Sequence, residues 1–181
     1  MRLNREFFHQ DAYQLGKNLL GKILNYRGKR YRIVETEAYG GITDKAAHSY
    51  NNRRTKRTEV MYLDGGHLYV YMIYGMYYLL NIVAAQVDNP EAVLIRAIEP
   101  LDTIEEKMST NGPGKLCRHL GIDKRLNGYD LCSSSGDVFI EDDHYPICIR
   151  YSKRINIDYA EEDRDRLWRF YLKDNKYVSK L

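Results

Sequence analysis

Residues 68–85 read LYVYMIYGMYYLLNIVAA and contain no charged side chain. An uncharged run of eighteen residues is long enough to cross a bilayer as a helix. Five of the residues are tyrosines, however, and Gly75 and Asn81 interrupt the apolar run. β-Branched and aromatic residues on both sides of Tyr74-Gly75 instead favour two strands joined by a tight turn. An exposed tyrosine at that turn would form a rigid wedge, which can stack with nucleic-acid bases because every base has a π-face.

The composition predicts one domain that carries a mild positive charge. A chain of 181 residues has the length of a single domain and can bury a substantial core. The 17 tyrosines, against 4 phenylalanines, indicate many aromatic side chains with one end in water. A net charge of +3 permits nucleic acid as a partner without demanding it. Four cations cluster in residues 53–57 and four more in residues 115–125, although each run alone is more often a solvated loop.

The remaining sequence predicts short helices near the ends and strands in the middle. Asn4 and Asp11 can each cap a short helix, the second ending near Gly21. Strands are predicted over 22–26, 29–39, 92–98, 138–141 and 147–152, helices over 102–109 and 114–121, a loop-rich basic segment over 40–66, and a solvated turn or helix over 161–166. Strands and helices do not alternate as βαβ units. We therefore expect a single α+β domain over residues 1–181, with a curved, mainly antiparallel sheet, a protruding β-hairpin and flanking short helices.

Several functional classes lack their signatures in this chain. The three cysteines are far apart and form no CxxC pair, which favours reduced thiols over a disulfide scaffold or a zinc site. The five histidines show no HxH or HxxxH spacing, and neither a phosphate-binding loop nor a Gly-x-Ser-x-Gly motif occurs. The amino terminus, MRLNREFF, carries charge where a signal peptide needs an apolar run. We expect a soluble intracellular protein, cytoplasmic in a bacterium or nuclear in a eukaryote, with no metal, no cofactor and no membrane contact.

The predicted strand over 29–39 contains two carboxylates in apolar surroundings. Because alternate residues of a strand share a face, Glu35, Glu37 and Tyr39 would line one side. A solvent-facing or edge strand explains most such patterns. The alternative is a carboxylate held in a cleft, where it can act as a general base on water or stabilise a developing cation.

Three further polar residues stand in apolar runs. Arg96 interrupts residues 92–98 and stays charged at any relevant pH, so its burial would require a partner such as Glu35 or Glu37. A lone histidine such as His48 is more often packed or exposed than catalytic. A buried amide such as Asn81 usually satisfies neighbouring backbone, but at the floor of a pocket it can discriminate between ligands.

Together these segments resemble the alkyladenine (methylpurine) DNA glycosylase family. The matching runs are VETEAYGG (34–41), AAHS (46–49), LYVYMIYGMYYLLN (68–81), LIRAIEP (94–100), NGPGKLC (111–117) and RFY (169–171). They occur in the order and spacing of the family and cover most of the chain. No single run is specific, but the joint match is.

The resemblance implies a base-excision-repair enzyme that flips an alkylated or deaminated purine from double-stranded DNA. Glu37 matches the catalytic carboxylate that activates water to hydrolyse the N-glycosidic bond and leave an abasic site. Arg96 matches the arginine that holds this carboxylate and the water. No lysine or other amine stands at the matched pocket positions, so we expect a monofunctional enzyme without a lyase step, acting as a monomer.

The same resemblance implies the base pocket and the intercalating tip. Tyr39, His48 and Tyr71 match the residues that enclose the flipped base, and Asn81 matches a residue that crowds the exocyclic amino group of guanine. Ile155 matches a position whose backbone carbonyl contacts the water, and the next residue, commonly Gly in the family, is Asn156 here. At the hairpin tip we expect Tyr74 and Met76 to enter the gap that the flipped base leaves.

Three other functions stay open from the residues alone. A non-catalytic nucleic-acid binding module could use the same tyrosines and basic loop without any carboxylate. A metal-dependent nuclease or hydrolase could use Glu35, Glu37 and His48. A purely structural domain would leave both the carboxylate strand and the hairpin without a role.

Overall fold

The computed structural model of the chain describes residues 1–103 and 109–180, so the predicted helix over 102–109 lies mostly outside them. The described residues form eight strands, and every pairing between them is antiparallel. Six strands follow the order β3-β4-β5-β2-β1-β6, and β8 pairs with both β2 and β7. The strands are β1 (Ile23–Tyr26), β2 (Lys29–Tyr39), β3 (Leu68–Ile73), β4 (Tyr77–Ala84), β5 (Glu91–Pro100), β6 (Val138–Glu141), β7 (Ile149–Ser152) and β8 (Arg169–Leu172). The sheet curls into a half-barrel, which confirms the predicted α+β class.

Three short α-helices flank the sheet: α1 (Arg5–Phe8), α2 (Ala12–Leu19) and α3 (Pro113–Leu120). The side chain of Asn4 accepts from the first turn of α1, and that of Asp11 accepts from the first turn of α2, so both predicted N-caps are confirmed. Helix α3 begins at a proline, which has no N–H to leave unsatisfied at that position. It ends at Gly121, whose φ of 67° is favourable only for residues that tolerate the left-handed region.

Strands β3 and β4 form the predicted hairpin, and three residues, Tyr74, Gly75 and Met76, connect them at its tip. Tyr74 and Gly75 have φ angles of 51° and 65°, as a type I′ turn requires, and the Met76 N–H donates to the Ile73 carbonyl at 3.1 Å. A Cβ atom on Gly75 would meet nothing within 4 Å, so its positive φ, rather than crowding, explains the glycine. The Tyr74 side chain is 82% exposed. The sequence prediction of an exposed aromatic tip is therefore confirmed.

Strand β2 lies at the centre of the sheet and contains the irregularity that builds the site. Its first residues pair with β1, Glu35–Glu37 pair with β8, and β5 lies along the other edge. Glu35 lies opposite Ala97, but Thr36 lies opposite Ile95, so Arg96 is an extra residue in β5. A bulge of this kind re-aims a side chain. The bulge allows Arg96 to reach the carboxylates of β2.

The core lies between the sheet and the helices. Helix α2 approaches β2 and β8 closely at Gly16: a Cβ atom there would lie 2.9 Å from the Phe170 ring. The Thr36 hydroxyl also donates to the Gly16 carbonyl at 2.8 Å. A larger residue at position 16 would push α2 away from the sheet. Close packing at Gly16 therefore holds α2 against β2, the strand that carries Glu37.

Two parts of the carboxyl-terminal region differ from the sequence prediction. Strand β8 was not predicted, because it is only four residues long and pairs with a strand more than a hundred residues earlier. Residues 158–165 form a 3-10 helix, and within it Asp163 is 3% exposed, so the segment 161–166 is not solvated throughout. Asp163 accepts from the Lys45 N–H at 2.8 Å and therefore holds the loop that follows β2.

None of the helices in the described parts of the chain has the length and apolar run that crossing a bilayer requires.

Candidate active site

A cavity of about 520 Å³ opens between the hairpin, the end of β2 and the loop after β7. Its size suits a small-molecule or single-base ligand. The predicted pocket residues meet there, although they come from distant parts of the chain: the lining includes Glu37, Tyr39, His48, Tyr71, Tyr74, Asn81, Arg96 and Ile155. Met76 lies outside this lining and is 63% exposed on the hairpin turn.

Glu37 lies on the floor of the cavity and is shielded from bulk solvent. Its Oε1 accepts from the backbone N–H of Ile155 at 2.7 Å, and its Oε2 accepts from the hydroxyl of Tyr39 at 2.9 Å. Nη1 of Arg96 lies 3.5 Å from Oε1. An ionised carboxylate has about four acceptor positions, so these contacts orient Glu37 and leave it able to accept from a further donor.

Glu35 is equally buried but does not border the cavity. Its Oε1 accepts from Nε of Arg96 at 2.9 Å, from Nε of Arg169 at 2.8 Å and from the Ser179 hydroxyl at 2.8 Å, and its Oε2 accepts from the Ser179 N–H at 2.6 Å. Its hydrogen bonds therefore join it to protein groups away from the cavity. Both carboxylates are 0% exposed, so the alternative of a solvent-facing strand is wrong.

Arg96 balances the charge of the two carboxylates. Burial of its guanidinium lowers the pKa, but the negative charges of Glu37 and Glu35 and the hydrogen bond to Glu35 outweigh this, and the pKa lies above its usual value. Arg96 therefore stays charged, as the sequence required of a buried arginine. Glu35 and Glu37 both serve as its partners.

Tyr39 closes one side of the carboxylate. Burial, followed by the nearby charge of Glu37, holds the pKa of Tyr39 well above 10.0. The phenol therefore keeps its proton and acts as a donor to Glu37. Its ring also lies 5.0 Å from the guanidinium of Arg154.

His48 packs among aromatic side chains and is neutral. Its ring meets the Tyr71 ring edge to face at 4.5 Å, and its Nδ1 lies 2.9 Å from the hydroxyl of Tyr69. Burial, with smaller contributions from Arg57 and Arg53, lowers the pKa of His48 from 6.5 to about 4. Burial likewise raises the pKa of Tyr69 to about 12. At neutral pH this wall of the cavity carries no charge of its own.

Asn81 and Ile155 both line the cavity. Asn81 is 3% exposed, and its amide donates to the Tyr69 carbonyl at 3.2 Å, which fixes the orientation of the amide. Ile155 reaches Glu37 through its backbone N–H. The next residue, Asn156, has a φ of 59°, a conformation that glycine adopts freely and asparagine tolerates. The substitution of Asn for Gly therefore keeps the backbone path available.

Cations lie beside both strands of the hairpin. Arg57 donates to the Met72 carbonyl of β3 at 3.2 Å, and its guanidinium lies 5.6 Å from the Tyr71 ring. Arg118 of α3 lies 5.6 Å from the Tyr77 ring of β4. Arg54, by contrast, is paired with Glu59 and Asp88. Each basic run thus brings a cation to one strand of the hairpin, although part of their charge is neutralised.

The sequence did not single out several side chains that support the site. Arg154 forms a fully buried ion pair with Asp44, and Arg169 binds Glu35. Tyr69 orients His48, and Tyr159 lines the mouth of the cavity and donates to the Ala46 carbonyl at 3.2 Å. No sequence signal distinguishes Asp44 or Arg154, because each stands in a polar segment beside another charged residue, Lys45 and Lys153, respectively.

In residues 1–103 and 109–180, no three His, Cys, Asp or Glu side chains come together in a geometry that could hold a metal ion. The three cysteines are free thiols: Cys117 is buried, Cys132 is half-buried and Cys148 is exposed.

Known proteins of one family are similar to this chain over almost its whole length. A family model described as Methylpurine-DNA glycosylase (MPG) matches residues 6–176. The chain is 52% identical over 200 aligned residues to the "Putative 3-methyladenine DNA glycosylase" of Clostridium novyi (strain NT), which covers 99% of this chain and 98% of that protein. Proteins of the same name from Borrelia garinii subsp. bavariensis and Clostridium perfringens (strain 13 / Type A) are 51% identical over 186 residues and 49% identical over 205 residues. These alignments cover 98% and 99% of this chain, respectively, and 100% of each relative.

The fold, the cavity and these relatives define a DNA glycosylase, a class of DNA repair protein. The chain belongs to the methylpurine-DNA glycosylase family, which confirms the resemblance that its sequence motifs indicate.

Proposed function

We propose that this protein flips an alkylated or deaminated purine, 3-methyladenine foremost, out of double-stranded DNA and hydrolyses its N-glycosidic bond. The observation that carries the proposal is the state of Glu37. It is a buried carboxylate at the floor of an aromatic cavity, oriented by Ile155 and Tyr39 and still able to accept from one more donor. A water molecule is the donor that this reaction needs.

In the proposed reaction, water attacks the sugar carbon C1′ of the flipped nucleotide. The new C1′–O bond forms as the C1′–N bond breaks, and the bonding electrons leave with the purine. Glu37 takes the proton of the water, which leaves an abasic site and free base. Arg96 holds the carboxylate and stays cationic beside it. A charged purine such as 3-methyladenine leaves as a neutral base.

The cavity walls favour such an electron-poor ring. The faces of aromatic side chains attract cations, and Tyr39, His48 and Tyr71 would enclose the base. Because the pKa of His48 is about 4, its imidazole does not repel a cationic purine at neutral pH. A neutral lesion such as hypoxanthine gains less from these walls and leaves less readily, so we expect its release to be slower.

Two residues would set what the cavity accepts. The amide of Asn81, fixed by the Tyr69 carbonyl, would crowd the exocyclic amino group of guanine. Ile155 would contact the attacking water through its carbonyl while its N–H holds Glu37.

The hairpin tip would compensate for the extruded base. Flipping costs a few kcal/mol, and a base–aromatic stack returns about 1–3 kcal/mol. Tyr74, with Met76 beside it, is exposed on a rigid turn and can enter the gap. Arg57, beside β3, and Arg118, beside β4, are suited to the flanking phosphates.

We infer that the enzyme is monofunctional and acts as a monomer. A lyase step needs an amine that forms a Schiff base with the sugar, and none of the described residues that line the cavity is a lysine. The cavity is built from one chain, so the proposed reaction needs no second copy. The proposed place of action is the compartment that holds the DNA, which in a bacterium is the cytoplasm.

The proposal is tested by incubating the protein with a methylated duplex and an inosine-containing duplex, followed by chromatography of the released bases. We expect free 3-methyladenine first and hypoxanthine more slowly, with strands that break only after heat or alkali. Strand cleavage that chelator abolishes would support the nuclease alternative, and binding without base release would support the binding module. β-Elimination of the abasic strand that the protein itself catalyses, without heat or alkali, would contradict the monofunctional assignment.

A further inference from the structure

Arg154 is the most completely enclosed charged side chain near the cavity that the proposed reaction does not use. It and Asp44 have side chains that are 0% exposed, and they lie 110 residues apart in the chain. Nη1 of Arg154 donates to Oδ2 of Asp44 at 2.6 Å, and Nη2 donates to Oδ1 at 3.0 Å. Among the described residues, neither of the two borders the cavity, so any effect on the reaction must pass through other residues.

Two backbone groups, the carbonyl of Ala38 and the N–H of Ile155, connect this ion pair to Glu37. Nη1 of Arg154 also donates to the carbonyl of Ala38, the residue after Glu37, at 2.9 Å. Ile155, the residue after Arg154, donates its N–H to Glu37 at 2.7 Å. Two hydrogen bonds therefore join the dipeptide 37–38 to the dipeptide 154–155. The guanidinium of Arg154 holds the segment that presents the Ile155 N–H.

Asp44 extends this arrangement to the loop after β2. Its Oδ2 accepts from the Gly40 N–H at 2.9 Å, and its Oδ1 accepts from the Ala46 N–H at 3.0 Å. The loop between these residues leads from Tyr39 toward His48. One carboxylate thus fixes both ends of a segment that carries two walls of the cavity.

Aromatic rings and a second backbone carbonyl complete the enclosure of Arg154. Its guanidinium lies 5.0 Å from the Tyr39 ring and 5.2 Å from the Trp168 ring, and Nη2 donates to the Asp163 carbonyl at 3.1 Å. A planar fork with several donors fits this geometry, whereas a lysine would offer a single point charge.

We propose that Asp44 and Arg154 are positioning residues for the glycosylase reaction, which hold the Ile155 N–H and Tyr39 in the geometry that orients Glu37. The inference rests on the function proposed above for Glu37. It adds that the rate of base excision depends on a buried ion pair that touches neither the DNA nor the water.

The test compares Arg154→Lys with Arg32→Lys in the full-length protein. Arg32 is a matched control: it is also buried, donates to both oxygens of Asp143 at 3.1 and 2.9 Å and binds the Gly21 carbonyl at 2.7 Å, but it lies before the bulge of β2. We expect Arg154→Lys to lower the single-turnover excision rate about 10- to 100-fold, since small misplacements of a catalytic group have effects of this size. Affinity for the damaged duplex should stay close to that of the wild type, and Arg32→Lys should keep the wild-type rate.

A second readout separates positioning from general loss of stability. A carboxylate that loses a hydrogen-bond donor holds its proton more firmly. The acidic limb of the pH–rate profile should therefore move to higher pH in Arg154→Lys and stay in place in Arg32→Lys. Equal rate losses in both variants, or an unmoved profile, would overturn the proposal.

A third comparison tests the proposal if Arg154→Lys does not fold. Asp44→Asn removes the charge of one partner, and the double variant Asp44→Asn/Arg154→Gln removes the charges of both. Because the two residues act as a unit, the double variant should lose no more rate than Asp44→Asn alone; additive losses would contradict a shared role. Wild-type rates in these variants, beside an inactive Glu37→Gln, would refute the positioning role alone, whereas an active Glu37→Gln would refute the proposed function itself.

Discussion

Glu35 and Glu37 share one guanidinium: Nε of Arg96 lies 2.9 Å from Oε1 of Glu35, and its Nη1 lies 3.5 Å from Oε1 of Glu37. Glu35 has a second cation, Arg169, and does not border the cavity. Glu37 has no second cation within salt-bridge distance among the described residues, and it borders the cavity. The two carboxylates of this strand thus have different environments: that of Glu35 is suited to stabilising the fold, and that of Glu37 is suited to catalysis.

This difference predicts opposite effects of two equivalent substitutions. Glu35→Gln leaves Arg96 and Arg169 without their shared counterion, and breaking a buried pair costs about 3–5 kcal/mol in the free energy of unfolding. Glu37→Gln removes a buried charge that is only partly paired, so the free energy of unfolding should be unchanged or higher. Denaturant unfolding followed by circular dichroism measures both. A greater loss of stability in Glu37→Gln than in Glu35→Gln would contradict these assignments.

The low pKa of His48 predicts a pH dependence of stability. In the folded protein the pKa of His48 is about 4, whereas the usual pKa of an exposed histidine is 6.5. Between these values the unfolded chain binds the proton and the folded protein does not, so stability falls as pH decreases from about 6.5 to about 4. Below about pH 4, the contribution of His48 to the free energy of unfolding no longer changes with pH.

Two measurements check the behaviour of His48. Its imidazole resonances, assigned by comparison with His48→Gln, should titrate with a midpoint near 4. The difference in free energy of unfolding between wild type and His48→Gln should also change across that window, to the disadvantage of the wild type at low pH. A midpoint at or above 6 would mean that the histidine is not enclosed as the structure places it.

The strained tyrosine at the hairpin tip predicts a separation of stability from DNA binding. A non-glycine residue at positive φ costs about 1–2 kcal/mol, and asparagine tolerates that conformation better. Tyr74→Asn should therefore keep or slightly raise stability while it weakens binding to damaged duplex, since the stack of about 1–3 kcal/mol is lost. Binding to a substrate whose lesion is already unpaired should fall less, as fluorescence anisotropy can measure. Equal weakening on both substrates would exclude Tyr74 as the intercalating residue.

The positive φ of Asn156 predicts that the excision rate depends on the backbone conformation at this position. Its φ of 59° follows directly on the residue whose N–H holds Glu37. Asn156→Gly should keep the excision rate, because glycine adopts this conformation freely. Asn156→Val should lower both the rate and the stability, because a β-branched residue at positive φ is strongly disfavoured. A Val variant with wild-type rate would show that the path of this loop does not control Glu37.

The sequence predicted those features that depend on neighbouring residues. The N-caps at Asn4 and Asp11 and the turn at Tyr74-Gly75 are local, and each residue type has one physical reason to be where it is. The pocket residues were predicted because several motifs matched a family jointly. Strand β8 is short, and it joins the sheet through β2, more than a hundred residues earlier in the chain. Asp44 and Arg154 are 110 residues apart. Both features were missed because no local pattern specifies such contacts.

The central claim is that Glu37 activates the water that cleaves the N-glycosidic bond. The most direct measurement is the single-turnover rate of 3-methyladenine release from methylated duplex by Glu37→Gln, with DNA affinity measured on the same preparation. General-base catalysis contributes about 10²- to 10⁴-fold, so we expect a rate loss in that range with unchanged affinity. A folded Glu37→Gln variant that releases the base at the wild-type rate would contradict the account.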